Sequence, residues 1–563
     1  MTNTTSRRRL SASLLVLAVQ VLLAACAQNV SPSPAPTACV PSGGTLYEVG
    51  PGQPYGAIGA VPWESLTAGD TVRIHWRAEP YREKVLLRGQ GSAERPITVC
   101  GVAGPGGELP VISGENATTR PTMGYNGQGT QTRGLIHVAS GSDDPWGYKP
   151  SYIVVQGLHL TGAFHENSFT DSAGAVVAYN PNAAGIFVER GEHITVRGVL
   201  ITGNGNGFFV ASGDSEEVRS RAIVLEYSAL YGNGTVTTGF DRHHNIYTES
   251  EGMLVQFNYI GPLRDGSGGS ALKDRSTGTV IRYNWIEGGA RTLDLVDAED
   301  SSDLATAQPE YRATYVYGNV LVNGPGGPSY MVHYGGDSGV TDAYRKGTLY
   351  FFHNTVVIRS DQEGEGGRWR IALFDVSTDD ESVDARNNVV HIEPATPGAR
   401  PSDLSWMVSA GALVLGANWA SPGVVAFRDG VEVSGTVSGM ENVLSNAAND
   451  PGFRGGDADS YQLRPDGAAV DAGQALHPAA VAAGHTASFV YVPPAAARPR
   501  VPIGPPDLGA FELVPDGASR DAPLRDAVAG LDLDGGSGRR AAPGTSTTIT
   551  DTHTGITERG HHL

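Results

Sequence analysis

Charge is scarce in this chain, and positive charge scarcer still. Only 18% of the 563 residues are Asp, Glu, Lys or Arg, with 40 bases against 59 acids. A net charge of −19 argues against nucleic acid as a partner, because a phosphate backbone needs a basic surface. Low charge together with 75 Gly and 35 Pro, about a fifth of all positions, excludes a coiled coil and an all-helical body. No Gly-X-Y period is present, which removes collagen. No apolar run is long enough to cross a bilayer as a helix. Cysteine is limited to three residues, so a disulfide-dense scaffold is also out. What is there is a 40% apolar content, enough for a sizeable core, and the composition points to one long β-rich body.

Arg7, Arg8 and Arg9 precede the short apolar run Leu14–Leu23, the layout of a secretory signal. The run ends in Leu23-Ala24-Ala25-Cys26, which resembles the lipobox of bacterial lipoproteins. That resemblance implies cleavage after residue 25, a lipid on Cys26, and a place in a bacterial cell envelope facing away from the cytoplasm. Ala27, where some lipoproteins carry an inner-membrane-retaining Asp, favours an outer leaflet if an outer membrane exists. Residues 26–44 include Ser31-Pro32-Ser33-Pro34 and read as a spacer. With Cys26 given to lipid, Cys39 and Cys100 remain as a candidate disulfide in an oxidising compartment, although spacing alone leaves two separate thiols open. The Gly/Ser/Thr-rich segment 516–563 lacks apolar periodicity and reads as a disordered tail.

Between them, residues 45–515 contain a repeat. Val255-Gln256-Phe257-Asn258-Tyr259-Ile260 and Ile281-Arg282-Tyr283-Asn284-Trp285-Ile286 share a frame that returns around Asn319, Asn354 and Asn388, with Ser228, Gly198 and Gly157 in the same slot upstream. Strand-like units recurring every 26 to 35 residues indicate a solenoid. The spacing is too uneven for a propeller, and the Leu positions of a leucine-rich repeat are missing. Asn stacked on Asn can bond the next turn's amides, which explains its recurrence without catalysis.

The segments Asp70-Thr71-Val72-Arg73-Ile74, Pro96-Ile97-Thr98-Val99 and Pro110-Val111-Ile112-Ser113-Gly114, with Asp450-Pro451-Gly452-Phe453 and Asp507-Leu508-Gly509-Ala510-Phe511 near the other end, resemble the first coils and closing segment of pectin-lyase-type proteins. The resemblance implies an all-β, single-domain, right-handed parallel β-helix of roughly a dozen coils. That fold hosts lyases, hydrolases, epimerases and adhesins, so it does not name a reaction.

The Asn ruler stacks Ile246 on Leu272, both facing in. Alternation then sends Asn245, Tyr247 and Glu249 outward on one coil and Ala271, Lys273 and Arg275 outward on the next. Asp294 and His333 extend the column, flanked by His243, His244 and Arg291. Such a set suits β-elimination on a uronate, which requires a cation at the carboxylate, a base for the C5 proton and a donor for the leaving oxygen. Lys273 is a usable base only if burial or neighbouring cations, for which Arg275 and Arg291 are the candidates, depress its pKa. Lys273-Asp274-Arg275 after His244-Asn245-Ile246-Tyr247 is similar to chondroitinase-B-like lyases, where Lys is the base, Arg the acid and carboxylates hold calcium. This chain departs from that pattern by placing Lys273 and Arg275 on one strand.

Several further expectations accompany this reading. Asp297, Glu299, Asp300 and Asp303 are the calcium candidates, without EF-hand spacing. Tyr247, Trp285, Tyr334 and Trp369 are the candidate sugar-stacking aromatics, with Tyr247 and Tyr334 preferred over Trp285. The expected partner is an extracellular polysaccharide, with the membrane reached only through lipid and the chain acting as a monomer. A hydrolase using Asp294 and Asp297 is the enzymatic alternative, although Asn-Thr-Asp and Gly-His-Gly signatures are missing. A noncatalytic carbohydrate-binding or adhesive solenoid is the other, in which the charged column would be surface ion pairs.

Overall fold

A computed structural model describes residues 39–513 except 128, 238–241, 325–328, 365–366 and 456–460. The expected leader, Cys26 with its lipid, most of the spacer, and the tail from 516 lie outside the described residues. β-branched and aromatic residues in runs of two to seven build three long sheets, each made only of parallel pairs. The first has 13 strands, from Leu46–Val49 to Thr436–Ser438. The second has 11, from Val111–Ser113 to Val443–Leu444. The third, called the site sheet below, has 11, from Val85–Leu87 to Val425–Phe427. Each coil visits them in that order and then climbs one strand, as in Glu251–Gln256, Tyr259–Ile260 and Leu272–Asp274. The chain is a parallel β-helix. Its core is a continuous column of Ile, Leu, Val and Phe inside the coils.

The corner between the first and second sheets holds the Asn ladder. Asn258 N donates to Asn284 Oδ1 at 3.0 Å, Asn284 N to Asn319 Oδ1 at 3.0 Å, Asn319 N to Asn354 Oδ1 at 3.1 Å and Asn354 N to Asn388 Oδ1 at 2.9 Å. The ladder runs on to Asn418 and is entered from Ser228. Gly157 and Gly198 stand one place earlier than the repeat suggests. They fill the left-handed position before the rung, with φ of 66° and 57°, where Tyr227, Phe257, Tyr283, His353 and Asn387 stand on other coils. The rung on the Gly198 coil is Val199, whose N–H donates to Ser228 Oγ.

At the N-terminal end Cys39 and Cys100 are bonded, with Cα atoms 6.1 Å apart, so the candidate disulfide is present. At the other end the stack stops at Leu444, short of the expected 515. The remainder, to Leu513, doubles back along the second sheet and the Asn corner. Phe489 packs against Phe257 and Tyr283, Tyr461 stacks on Trp285 at 5.6 Å, and Asn387 exchanges bonds with Gln474. Trp285 is thereby taken up by this returning strap and is not available to a sugar.

Candidate active site

The site sheet aligns one outward residue per coil. Its register runs Phe187, Phe209, Tyr247, Lys273, Asp294, His333, Asp375. Ile246, Leu272, Leu293 and Val332, their neighbours in sequence, are fully buried beneath them, as alternation requires. Phe187, Phe209 and Tyr247 stack face to face at 4.7 and 4.6 Å, an aromatic run leading into the charged rungs.

Lys273 and Arg275 share one carboxylate that the repeat does not reveal. Lys273 Nζ donates to Asp337 Oδ2 at 2.5 Å, and Arg275 Nη2 donates to Asp337 Oδ1 at 2.9 Å. Arg275 is buried. Its Nε donates to Tyr247 Oη at 2.9 Å, its Nη1 donates to the Asp297 carbonyl at 2.6 Å, and Glu299 Oε2 lies 3.4 Å away. Burial works against the charge of Asp337, but Lys273 and Arg275 outweigh it and hold the carboxyl below its ordinary value. Burial pushes the Tyr247 phenol well above its ordinary value; Arg275 pulls the other way and Glu299 adds to the rise. Tyr247 therefore keeps its phenolic proton, which its Oη directs to Glu299 Oε2 at 3.3 Å.

Asp294 is the hub of the next rungs. One oxygen faces His333 Nδ1 at 2.8 Å; the other faces Arg291 Nη1 at 3.1 Å, Ser270 Oγ at 3.3 Å and Lys273 Nζ at 3.5 Å. Burial opposes its charge, yet the His333 bond and the charges of Lys273 and Arg291 hold it well below the usual carboxylate range. Nδ1 of His333 faces that anion, and its Nε2 lies 3.2 Å from Ser377 Oγ. Arg291 turns to Asp294 and Tyr330 Oη, and Arg275 to its carboxylates. The expected crowding of Lys273 by two cations is not found: carboxylates flank its Nζ instead.

Several expected site residues are elsewhere. Asn245 is fully buried, a rung of a second Asn stack that accepts from Asn233 Nδ2 and donates to the Gly261 carbonyl. Tyr334 is one residue past outward His333, so period two turns it into the core, where it cannot meet a sugar. Ala271 lies in the core because alternation breaks where the chain turns into the strand. Glu249 is buried under the following loop and does not reach Arg275. Its carboxylate accepts from Glu299 N, Asp300 N, Ser301 N and Ser301 Oγ. Burial, joined by the charge of Asp300, pushes that carboxyl up to about 7 against the pull of those amides.

His244 is buried at the edge of the column. Its Nδ1 accepts from Ser270 N at 2.9 Å, and burial, aided by Lys273, drives its value down to about 3. His243 faces Thr235 Oγ1 at 2.6 Å. The calcium candidates separate: Asp297 accepts from Asp337 N, Ser338 N and Ser338 Oγ, Asp300 accepts from Ser212 N, and Glu299 faces Tyr247 and Arg275. Among the described residues no three acidic, His or Cys side chains are gathered as a metal site, and oxygens already engaged by amides do not fit a calcium ion. The same engagement removes Asp294 and Asp297 as a hydrolase pair, since neither faces open space opposite the other.

No family model matches this sequence, and no curated protein matches it. Solved structures similar to it include a pectate lyase, 11% identical, covering 84% of this chain and 98% of that one, with a TM-score of 0.42. An alginate lyase from Paenibacillus sp. str. FPU-7 is 14% identical, covering 63% of this chain and 94% of its own, with a TM-score of 0.33. A lacto-N-biosidase from Eubacterium ramulus is 13% identical over 71% of this chain and 67% of its own, with a TM-score of 0.33. Identities this low do not reach the reaction.

Proposed function

We propose that the chain is an envelope-anchored lyase, held through Cys26, that binds an extracellular uronate-containing polysaccharide on the site sheet and cleaves it by β-elimination. The observation that carries the proposal is Asp337, whose two oxygens are held by Lys273 and Arg275 at 2.5 and 2.9 Å. A lysine and an arginine positioned to grip one carboxylate supply what a uronate carboxylate needs, and Asp337 marks the place it takes.

In this reading Lys273 and Arg275 neutralise the substrate carboxylate and make the C5 proton acidic. Proton removal passes from Lys273, the base expected from sequence, to His333 Nε2, which Asp294 orients from behind. The C5–H electron pair becomes the C4–C5 double bond, the bond from C4 to the glycosidic oxygen breaks, and Tyr247 protonates that oxygen. No step uses calcium.

The test is ultraviolet absorbance of unsaturated ends when the full chain meets galacturonate, mannuronate, guluronate and glucuronate polymers. Lys273→Ala and His333→Ala are each expected to lower kcat/KM by about a hundredfold or more. Unsaturated product formed by Lys273→Ala at the parent rate would remove the proposal, and binding of a uronate polymer with no product would leave a binding module.

A further inference from the structure

The site sheet does not end at Asp375. Phe374 pairs with Met407 and Met407 with Phe427, so the outward line passes through Val408 to Arg428. Arg428 lines a cleft of about 350 Å³ with Gly367, Arg368, Trp369, Arg370 and Asp429. Trp369 is 59% exposed at the mouth of this cleft. Its backbone is fixed: its carbonyl accepts from Asp403 N at 2.8 Å, and Arg368 N donates to the Asp361 carbonyl at 2.8 Å.

The charges around the ring are those of an anion site. Arg370 is tied to Asp429 at 2.8 Å and approaches Asp403 at 3.7 Å. Arg400 lies over the Trp369 ring at 5.7 Å and 3.7 Å from Asp403, with its side chain 68% exposed. The Arg428 guanidinium has no hydrogen bond or ion pair among the described residues and acts only at longer range, on Asp375. Around the cleft, Arg368, Arg370, Arg400 and Arg428 stand against Asp375, Asp403 and Asp429.

We infer that this cleft is a distal subsite for a carboxylated sugar, with Trp369 stacking on the ring and Arg428 and Arg400 taking the carboxylate. It rests on the uronate reading of the column and extends it. Arg428 stands five strands from Lys273, about 24 Å at the inter-strand spacing of about 4.8 Å, so the subsite engages a sugar several residues from the bond that breaks. Stacking plus charge gives a selectivity that a neutral polymer cannot satisfy.

The experiment titrates the full chain with uronate disaccharides and octasaccharides, and with carboxyl-reduced octasaccharides, while unsaturated product is followed in parallel. Trp369→Ala and Arg428→Gln are each expected to weaken octasaccharide binding about tenfold and leave disaccharide binding unchanged. Arg428→Lys, with unfolding curves for all variants, guards against a misfolded variant. The inference is overturned if both variants bind the octasaccharide as the parent does, if the carboxyl-reduced octasaccharide binds the parent as tightly, or if the parent binds no uronate. Trp369-dependent binding without product upholds the cleft while ending the lyase proposal; product with Trp369-independent binding does the reverse.

Discussion

At the level of single residues, carboxylates set the behaviour of the site. Asp337 competes with the proposed substrate for Lys273 and Arg275, so Asp337→Asn is expected to lower KM for a uronate polymer severalfold, read from initial rates; a raised KM would mean that Asp337 organises the pair and does not stand in for the ligand. Asp294 makes a pH prediction. Its carboxyl is held below its ordinary value in the fold, so its stabilisation is complete above the unfolded value near 3.8 and is lost as pH falls toward the folded one. Asp294→Asn should therefore lower the urea midpoint at neutral pH, with the gap to the parent closing below about pH 4. A gap that stays constant with pH would show that shape and not charge matters there. The column itself was legible because the Asn ruler fixes register and register fixes which side chains share a line. Asp337 and Ser377 were not, because they arrive on turns after the strand, where no period operates and a Gly335-Gly336 pair is the one local mark of the bend. Asn245 and Glu249 misled because alternation says which way a side chain leaves the strand, not what later loop covers it.

Among the elements, the corner between the first two sheets shows how the sequence writes a coil. Each rung bonds an amide of the coil before it, and the residue ahead of the rung takes φ near +55°, a conformation unfavourable for tyrosine and phenylalanine. The strain is met by stacking: Tyr227, Phe257 and Tyr283 lie ring on ring at 4.9 and 5.5 Å. Asn319 accepts from Asn284 N and Asn284 Nδ2 and donates to the carbonyls of Ile281 and Tyr317. Asn319→Ala orphans several of these buried groups at once, and a loss of about 3 kcal/mol in urea unfolding is expected. A loss near zero would mean that water fills the gap. The recurrent Asn was readable, whereas its offset from Gly157 and Gly198 was not, since glycine suits the left-handed position and the rung alike in a one-line alignment.

The whole molecule is a one-dimensional stack secured differently at its ends. The Cys39–Cys100 bond closes a 61-residue separation, and removing it by Cys100→Ala should cost about 4 kcal/mol in the loop-entropy model. Because coils touch only their neighbours, faster amide exchange should appear first in Leu46–Val49 and Thr71–His75, with the strands around Asn319 unchanged; uniform acceleration would contradict nearest-neighbour coupling. The returning strap works at the opposite end. It crosses from the Asn387 coil back to the Phe257 coil through Gln474, Tyr461, Thr486 and Phe489. A strap that touches several coils ties together rungs that do not otherwise meet, so the last coils cannot be unwound one at a time while its contacts hold. Under the proposed tether through Cys26 and a polymer held on the site sheet, the end that carries the strap is the one that resists drag.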